Sequence, residues 1–168
     1  MTAADAAATR AERVLDALRG RGLTLATAES LTGGLIGAAL TAIPGSSDVY
    51  RGGVVCYATD LKATLAGVPE DVLVAHGPVS PETAAALAVG VARRCGADLG
   101  LAVTGVAGPT PQDGHAVGEV HVAVVGPGDE LPRQRRLDLV GTRASIRDQT
   151  VTAALELVAE VLGEVAPC

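Results

Sequence analysis

Apolar positions along this chain follow two patterns. In one they recur at helical spacing, as Val14, Leu15 and Leu18 do within residues 9–20. That pattern predicts helices over 9–20, Gly33–Ala42, Thr59–Leu65, Pro81 to about Arg94, and Arg143 to about Leu162. In the other they form short continuous or alternating runs of strand length, over Leu23–Ala28, Gly52–Tyr57, Leu99–Val103, Gly118–Val125 and Arg133–Val140. The punctuation agrees. Pro44 and Gly45 stop the second helix, Thr59 or Asp60 caps the third, and Gly67 ends it. Ser80 precedes Pro81 at a first helical position, with Glu82 in the first turn, and Thr142 stands where the last helix needs a cap. The stretch Gly105–Val117, with its glycines and prolines, reads as a loop.

Strands separated by helices of this length predict an α/β fold, with helices covering both faces of a mostly parallel sheet. The short connection between Gly118–Val125 and Arg133–Val140 forces that pair to be antiparallel, so the sheet is mixed. The 168 residues show no repeat and no linker, which predicts one domain over 1–168.

Composition narrows the functions. Apolar residues make up 48% of the chain, enough for a packed core. The net charge of −6 speaks against an electrostatic nucleic-acid binder. Phe and Trp are absent and only Tyr50 and Tyr57 are aromatic, so there is no platform for stacking bases. Cys56, Cys95 and Cys168 are odd in number and widely spaced, which fits a reducing cytoplasm better than a disulfide framework or zinc site. Met1 to Ala8 has no secretory pattern, and no apolar run is long enough for a bilayer. Among 13 cationic side chains only Lys62 is lysine. An arginine stays protonated, whereas a lysine loses its proton when buried.

Four segments carry candidate chemistry. Ala28-Glu29-Ser30-Leu31-Thr32-Gly33-Gly34 lies where a strand ends and a helix begins. Ligands of open α/β sheets bind at that edge, and helix N-terminal amides there can stabilise an oxyanion. Ser30 or Thr32 serves equally well as a simple N-cap. Tyr57 ends a strand, and Lys62 follows about a turn into the next helix, overhanging the same edge. Thr104-Gly105-Val106-Ala107-Gly108 follows a buried strand and would let backbone amides approach a ligand, although a plain turn has the same sequence. Arg143 and Arg147, four apart on one helix face, would clamp a phosphate or carboxylate, or pair at the surface. Arg133, Arg135 and Arg136 read as a solvated edge strand. His76, His115 and His121 lack metal-ligand spacing; His121 reads as structural and His115 as bordering a site.

In this order and at these separations the segments resemble the CinA C-terminal domain family (competence/damage-inducible protein). The resemblance runs from about Arg10 to Val161, through Ala28–Gly34, Tyr57–Lys62 with Leu65–Val68, Val79–Thr83, Thr104–Pro109 with Val117-Gly118, and the Gly141–Leu157 helix. It implies a three-layer α/β/α sandwich and hydrolysis of the carboxamide of nicotinamide mononucleotide to the acid and ammonia. By resemblance Ser30 is the nucleophile, Lys62 the base and Tyr57 its proton-relay partner. Thr32, Gly33, Gly34, Thr104, Gly105, Gly108, Arg143 and Arg147 are then expected around the substrate. No metal or cofactor is implied. The expected partners are a small pyridine nucleotide and further copies of the chain, a dimer first, with no nucleic acid and no membrane. Many members carry an additional N-terminal domain, and this chain resembles the form without it. It departs from the family pattern at Thr59, where Asn is usual, and in the loop Thr110–Val117, which lacks the usual glycines and lysine. The competing reading is a non-catalytic nucleotide-binding module of a competence or DNA-damage pathway. It would keep the glycine loops and arginines without needing a lysine that loses its proton.

Overall fold

The computed structural model describes residues 3–164. Met1, Thr2 and Cys168 lie outside the described residues. Five strands, β1 (Leu25–Glu29), β2 (Tyr50–Val55), β3 (Leu99–Gly105), β4 (Glu119–Val125) and β5 (Arg133–Asp138), form one sheet in the order β2-β1-β3-β4-β5. β1 pairs in parallel with β2 and β3, while β4 is antiparallel to both β3 and β5. Four strands therefore run one way and β4 alone runs back, giving the mixed, mostly parallel sheet of an α/β fold. The antiparallel β3–β4 pair was not evident in the sequence; the loop between these strands makes it a long hairpin.

Two helical layers cover the sheet, completing a three-layer sandwich. α1 (Ala3–Arg21), α2 (Leu35–Thr41) and α6 (Arg143–Val161) pack on one face, and α5 (Pro81–Cys95) packs on the other with α3 (Thr59–Thr64) and α4 (Glu70–His76) beside it. The alternation within each strand decides which layer goes where. Leu25, Leu99, Leu101, Val103, Val120, Val122 and Val124 point to the first face and meet Leu15, Leu18, Ile36, Leu40 and Leu155. The other face is lined by Ala26, Ala28, Ala102 and Ala123, against Leu87, Ala88 and Val91 of α5. Small residues there let α5 lie close: a Cβ on Gly100 would collide with the Ala88 carbonyl.

The caps predicted at Ser80 and Thr142 are present; their hydroxyls accept from the amides of Thr83 (3.1 Å) and Ser145 (3.2 Å). Other boundaries move. The first strand starts at Leu25 rather than Leu23; the Thr24 amide and hydroxyl are given to the Asp98 carboxylate (2.8 and 2.7 Å) instead of to a strand partner. Two bonds from Thr24 also hold the Asp98 carboxyl below its ordinary range. The second strand ends at Val55, so Tyr57 lies beyond it. α3 is capped by the Ala58 backbone and not by Thr59 or Asp60, and α2 begins after left-handed Gly34 with neither Ser30 nor Thr32 as its cap. Arg135 grips Glu160 of α6 from the edge strand β5 (2.6 and 2.7 Å), while Arg133 and Arg136 are exposed. Among the described residues, no helix is long and apolar enough to cross a membrane.

Candidate functional site

Three parallel strands end side by side, and the chemistry-bearing residues gather where they do. The Ser30 amide donates to the Val103 carbonyl (3.1 Å), and the Cys56 amide donates to the Glu29 carbonyl (2.9 Å). The ladders therefore run one residue past β1 and β2 and fix both positions on rigid sheet. Lys62 reaches back from α3 to this edge. Its Nζ lies 3.0 Å from Ser30 Oγ and 2.9 Å from the Cys56 carbonyl oxygen. Lys62 is only 2% exposed, and among the described residues no carboxylate pairs with it. Burial therefore pushes the amine below the ordinary lysine range, because the charged form loses its water without gaining a counter-ion. The neighbouring Cys56 thiol is buried as well, and burial pushes it up, away from thiolate.

A cavity of about 230 Å³ opens over this pair. Of the residues expected around a ligand, Ser30, Tyr57, Lys62, Thr104, Gly105, Gly108 and Arg143 line it. Tyr57 is 58% exposed, and its hydroxyl accepts from Arg143 Nη2 (2.8 Å) rather than touching Ser30 or Lys62. Arg143 Nη1 also donates to the Gly108 carbonyl (2.7 Å), so one guanidinium ties the tyrosine to the glycine loop after β3. Thr104 donates to the Pro78 carbonyl (2.7 Å) and draws the turn before α5 to the rim. Thr110, Pro111 and Gln112 contribute as well, so the loop that departs from the family pattern reaches the cavity.

Thr32, Gly33, Gly34 and Arg147 lie behind the cavity rather than on it. Thr32 is fully buried and its hydroxyl donates to Glu29 Oε2 (2.6 Å). Arg147 spends its Nε and Nη2 on the carbonyls of Leu31 and Thr32, both at 2.9 Å. The expectation that α2 offers free N-terminal amides to an oxyanion is corrected too. The amides of Gly34, Ile36 and Gly37 donate to the Glu29 carboxylate (3.0, 3.0 and 2.8 Å), which fills that end of the helix. Glu29 was missed in the sequence, where a charged residue closing an apolar strand just before two glycines was the available signal.

The histidines stand apart from the cavity. His115 Nδ1 and His121 Nε2 both meet Glu119 Oε1 (3.0 and 2.9 Å). The bond from His121, with that from His115, holds the Glu119 carboxyl below its ordinary range. With His76 they line a separate cleft beyond Val79. Among the described residues, no three His, Cys, Asp or Glu side chains are placed to hold a metal ion.

An α/β sandwich with a serine and a buried lysine joined at its parallel strand ends defines a class of domain consistent with catalysis. Residues 7–162 match the model of the CinA C-terminal domain, and the chain belongs to that family. A CinA-like protein of Frankia casuarinae is 50% identical over 149 residues, 89% of this chain and 34% of that protein. The chain thus spans about a third of the length of the curated relatives it matches. Among solved structures, the competence/damage inducible protein CihA of Agrobacterium tumefaciens superposes with a TM-score of 0.88 at 37% identity, covering 94% of this chain and 96% of that one. The competence damage-inducible protein A of Klebsiella pneumoniae gives 0.89 at 31% identity, covering 95% of this chain and 99% of that one.

Proposed function

We propose that this domain hydrolyses the carboxamide of nicotinamide mononucleotide to nicotinic acid mononucleotide and ammonia. The observation that carries the reading is Lys62, 2% exposed, without a counter-ion, and 3.0 Å from Ser30 Oγ at the floor of a cavity. A serine hydroxyl is a weak nucleophile until a base removes its proton. A lysine is such a base only when its pKa falls toward the working pH, and burial lowers that of Lys62.

In the proposed cycle Ser30 Oγ attacks the carboxamide carbon as Lys62 Nζ takes the hydroxyl proton. The C–N bond then breaks, and the leaving nitrogen receives the proton held by Lys62; for Tyr57 to relay it, its hydroxyl must turn from Arg143 toward Lys62 when substrate is bound. Water next cleaves the Ser30 ester, with Lys62 again as base, and the acid leaves. Arg143 is the one cation of the lining besides Lys62 and holds Tyr57, which supports giving it the anionic end of the nucleotide. Thr104, Gly105 and Gly108 would border the substrate. The enclosed volume of about 230 Å³ is below the ~300–1,000 Å³ of most drug-sized sites. The reacting ring then sits inside, and part of the nucleotide stands at the open rim. Residues 1–168 would act as one domain, in the cytoplasm, as a homo-oligomer with a dimer first. A module that only binds nucleotide would have no use for an amine whose burial is costly to the fold.

The test is ammonia release from nicotinamide mononucleotide and, in parallel, from free nicotinamide. The nucleotide should react far faster, because remote binding of ribose and phosphate orients the amide. No release from either compound would overturn the proposal, and equal rates would overturn the role given to the nucleotide part.

A further inference from the structure

We infer that Glu29 and Arg147 form a two-sided clamp that positions Ser30, an inference resting on the reading of Ser30 as nucleophile. The turn 30–34 leaves the sheet and reverses into α2 through two left-handed glycines, Gly33 (φ 60°) and Gly34 (φ 101°). On its amide side lies Glu29, the last residue of β1 and 2% exposed. Its Oε2 accepts from the Thr32 hydroxyl and the Gly34 and Ile36 amides, and its Oε1 accepts from Gly37. On the carbonyl side lies Arg147, whose guanidinium takes the oxygens of Leu31 and Thr32. Ser30 sits immediately before the clamped segment, and its hydroxyl meets Lys62.

A buried carboxylate is costly unless it is fully hydrogen-bonded, and this one has four donors at 2.6–3.0 Å. Those bonds fix where the chain goes after Ser30, and with it the direction of Oγ. Gly33 has a matching role: a Cβ there would stand 3.4 Å from Arg147 Nη2, at the edge of contact. The clamp also closes two places where an anion would otherwise be received. The first-turn amides of α2 are taken, and Arg147 faces backbone rather than the cavity. Arg147 is thus a positioning residue, while its helix neighbour Arg143 faces the ligand.

The two roles separate in kinetics. Arg147→Lys keeps the charge but not the planar two-carbonyl grip, and Glu29→Gln turns one acceptor into a donor facing amide donors. Each is expected to lower kcat on nicotinamide mononucleotide by about a hundredfold, the scale of a displacement near 1 Å. KM should stay within about twofold, since no substrate contact is removed. Labelling of Ser30 by phenylmethanesulfonyl fluoride, read by mass spectrometry beside a melting curve, should slow in parallel. That readout is independent of the substrate. A wild-type protein inactive on the nucleotide but labelled at Ser30, with slower labelling in both variants, would refute the substrate and keep the clamp. A KM rise at unchanged kcat in Arg147→Lys, or wild-type kinetics and labelling in that variant, would overturn the clamp. A wild-type Ser30 that does not label would overturn it together with the nucleophile. If Glu29→Gln does not fold, Arg147→Lys decides alone.

Discussion

Replacing Lys62 by Met separates what the amine does for the fold from what it does for chemistry. Methionine is unbranched and of similar length, so it fills the same channel from α3 to the strand ends. The structure sets two opposing terms. The Cys56 carbonyl, on a fully buried residue, loses its Nζ partner, which costs about 1–3 kcal/mol. Against this, an amine that is 2% exposed and lacks a counter-ion no longer has to be desolvated, a gain of similar size. Net stability at neutral pH should therefore change little, while its pH dependence should change in a definite direction. Burial lowers the folded pKa of Lys62, whereas the unfolded side chain titrates near ~10.4. Between those two values the unfolded chain binds more protons, so wild-type stability rises with pH across that window. Below the folded pKa the burial penalty is complete and the slope from this group vanishes. Lys62→Met lacks the group, so its stability relative to wild type should be most favourable at the acid end of the window and decline as pH rises toward 10. Urea titrations at a series of pH values measure this. Turnover should fall at least about a hundredfold, the low end of a general-base contribution. Parallel stability profiles for the two proteins, together with wild-type turnover in the variant, would refute the reasoning.

Ser30→Ala should abolish turnover as fully as Lys62→Met, and the double variant should be no slower than either, because residues acting as one unit are not additive; steady-state ammonia release measures all three. Arg143→Ala releases both the Tyr57 hydroxyl and the Gly108 carbonyl. It should raise KM by about 1.5–3 kcal/mol in RT ln terms, with a smaller fall in kcat, in a substrate titration. Exhaustive chelation should leave activity unchanged, and loss with recovery on added zinc or magnesium would refute a serine mechanism. Gly100→Ala drives a methyl into the Ala88 carbonyl, so α5 must lift from the sheet, and a loss of about 1–3 kcal/mol should appear in thermal melting.

The parts of the fold that were legible in the sequence are those whose partners are local. Ser80 and Thr142 cap amides three residues on, and the short connection from β4 to β5 allows one pairing only. α4 was not legible: its seven residues bury no side chain fully, so no apolar period marks them. At the site, Lys62 stood out because it is the only lysine, and burial gives that singularity a physical meaning. Arg147 lies off the cavity for an equally physical reason. Four-residue spacing puts it on the face of Arg143, but at a helix start the second residue lies one turn deeper, where the turn after β1 meets it. The donors to Glu29, from Thr32 to Gly37, are close in sequence, but they reach it only because left-handed Gly33 and Gly34 turn α2 back over the strand end, a geometry that apolar periodicity does not report.

The most direct measurement of Ser30 as nucleophile is trapping of its ester. In the presence of hydroxylamine, wild-type protein consuming nicotinamide mononucleotide should yield the hydroxamate of the nucleotide as well as the acid. Their ratio should follow hydroxylamine concentration while total consumption holds steady where ester formation is limiting. Ser30→Ala should yield neither. Acid alone at every hydroxylamine concentration, or acid from the Ser30→Ala protein, would contradict an acyl-enzyme on Ser30 and with it the chemistry assigned to the Ser30–Lys62 pair.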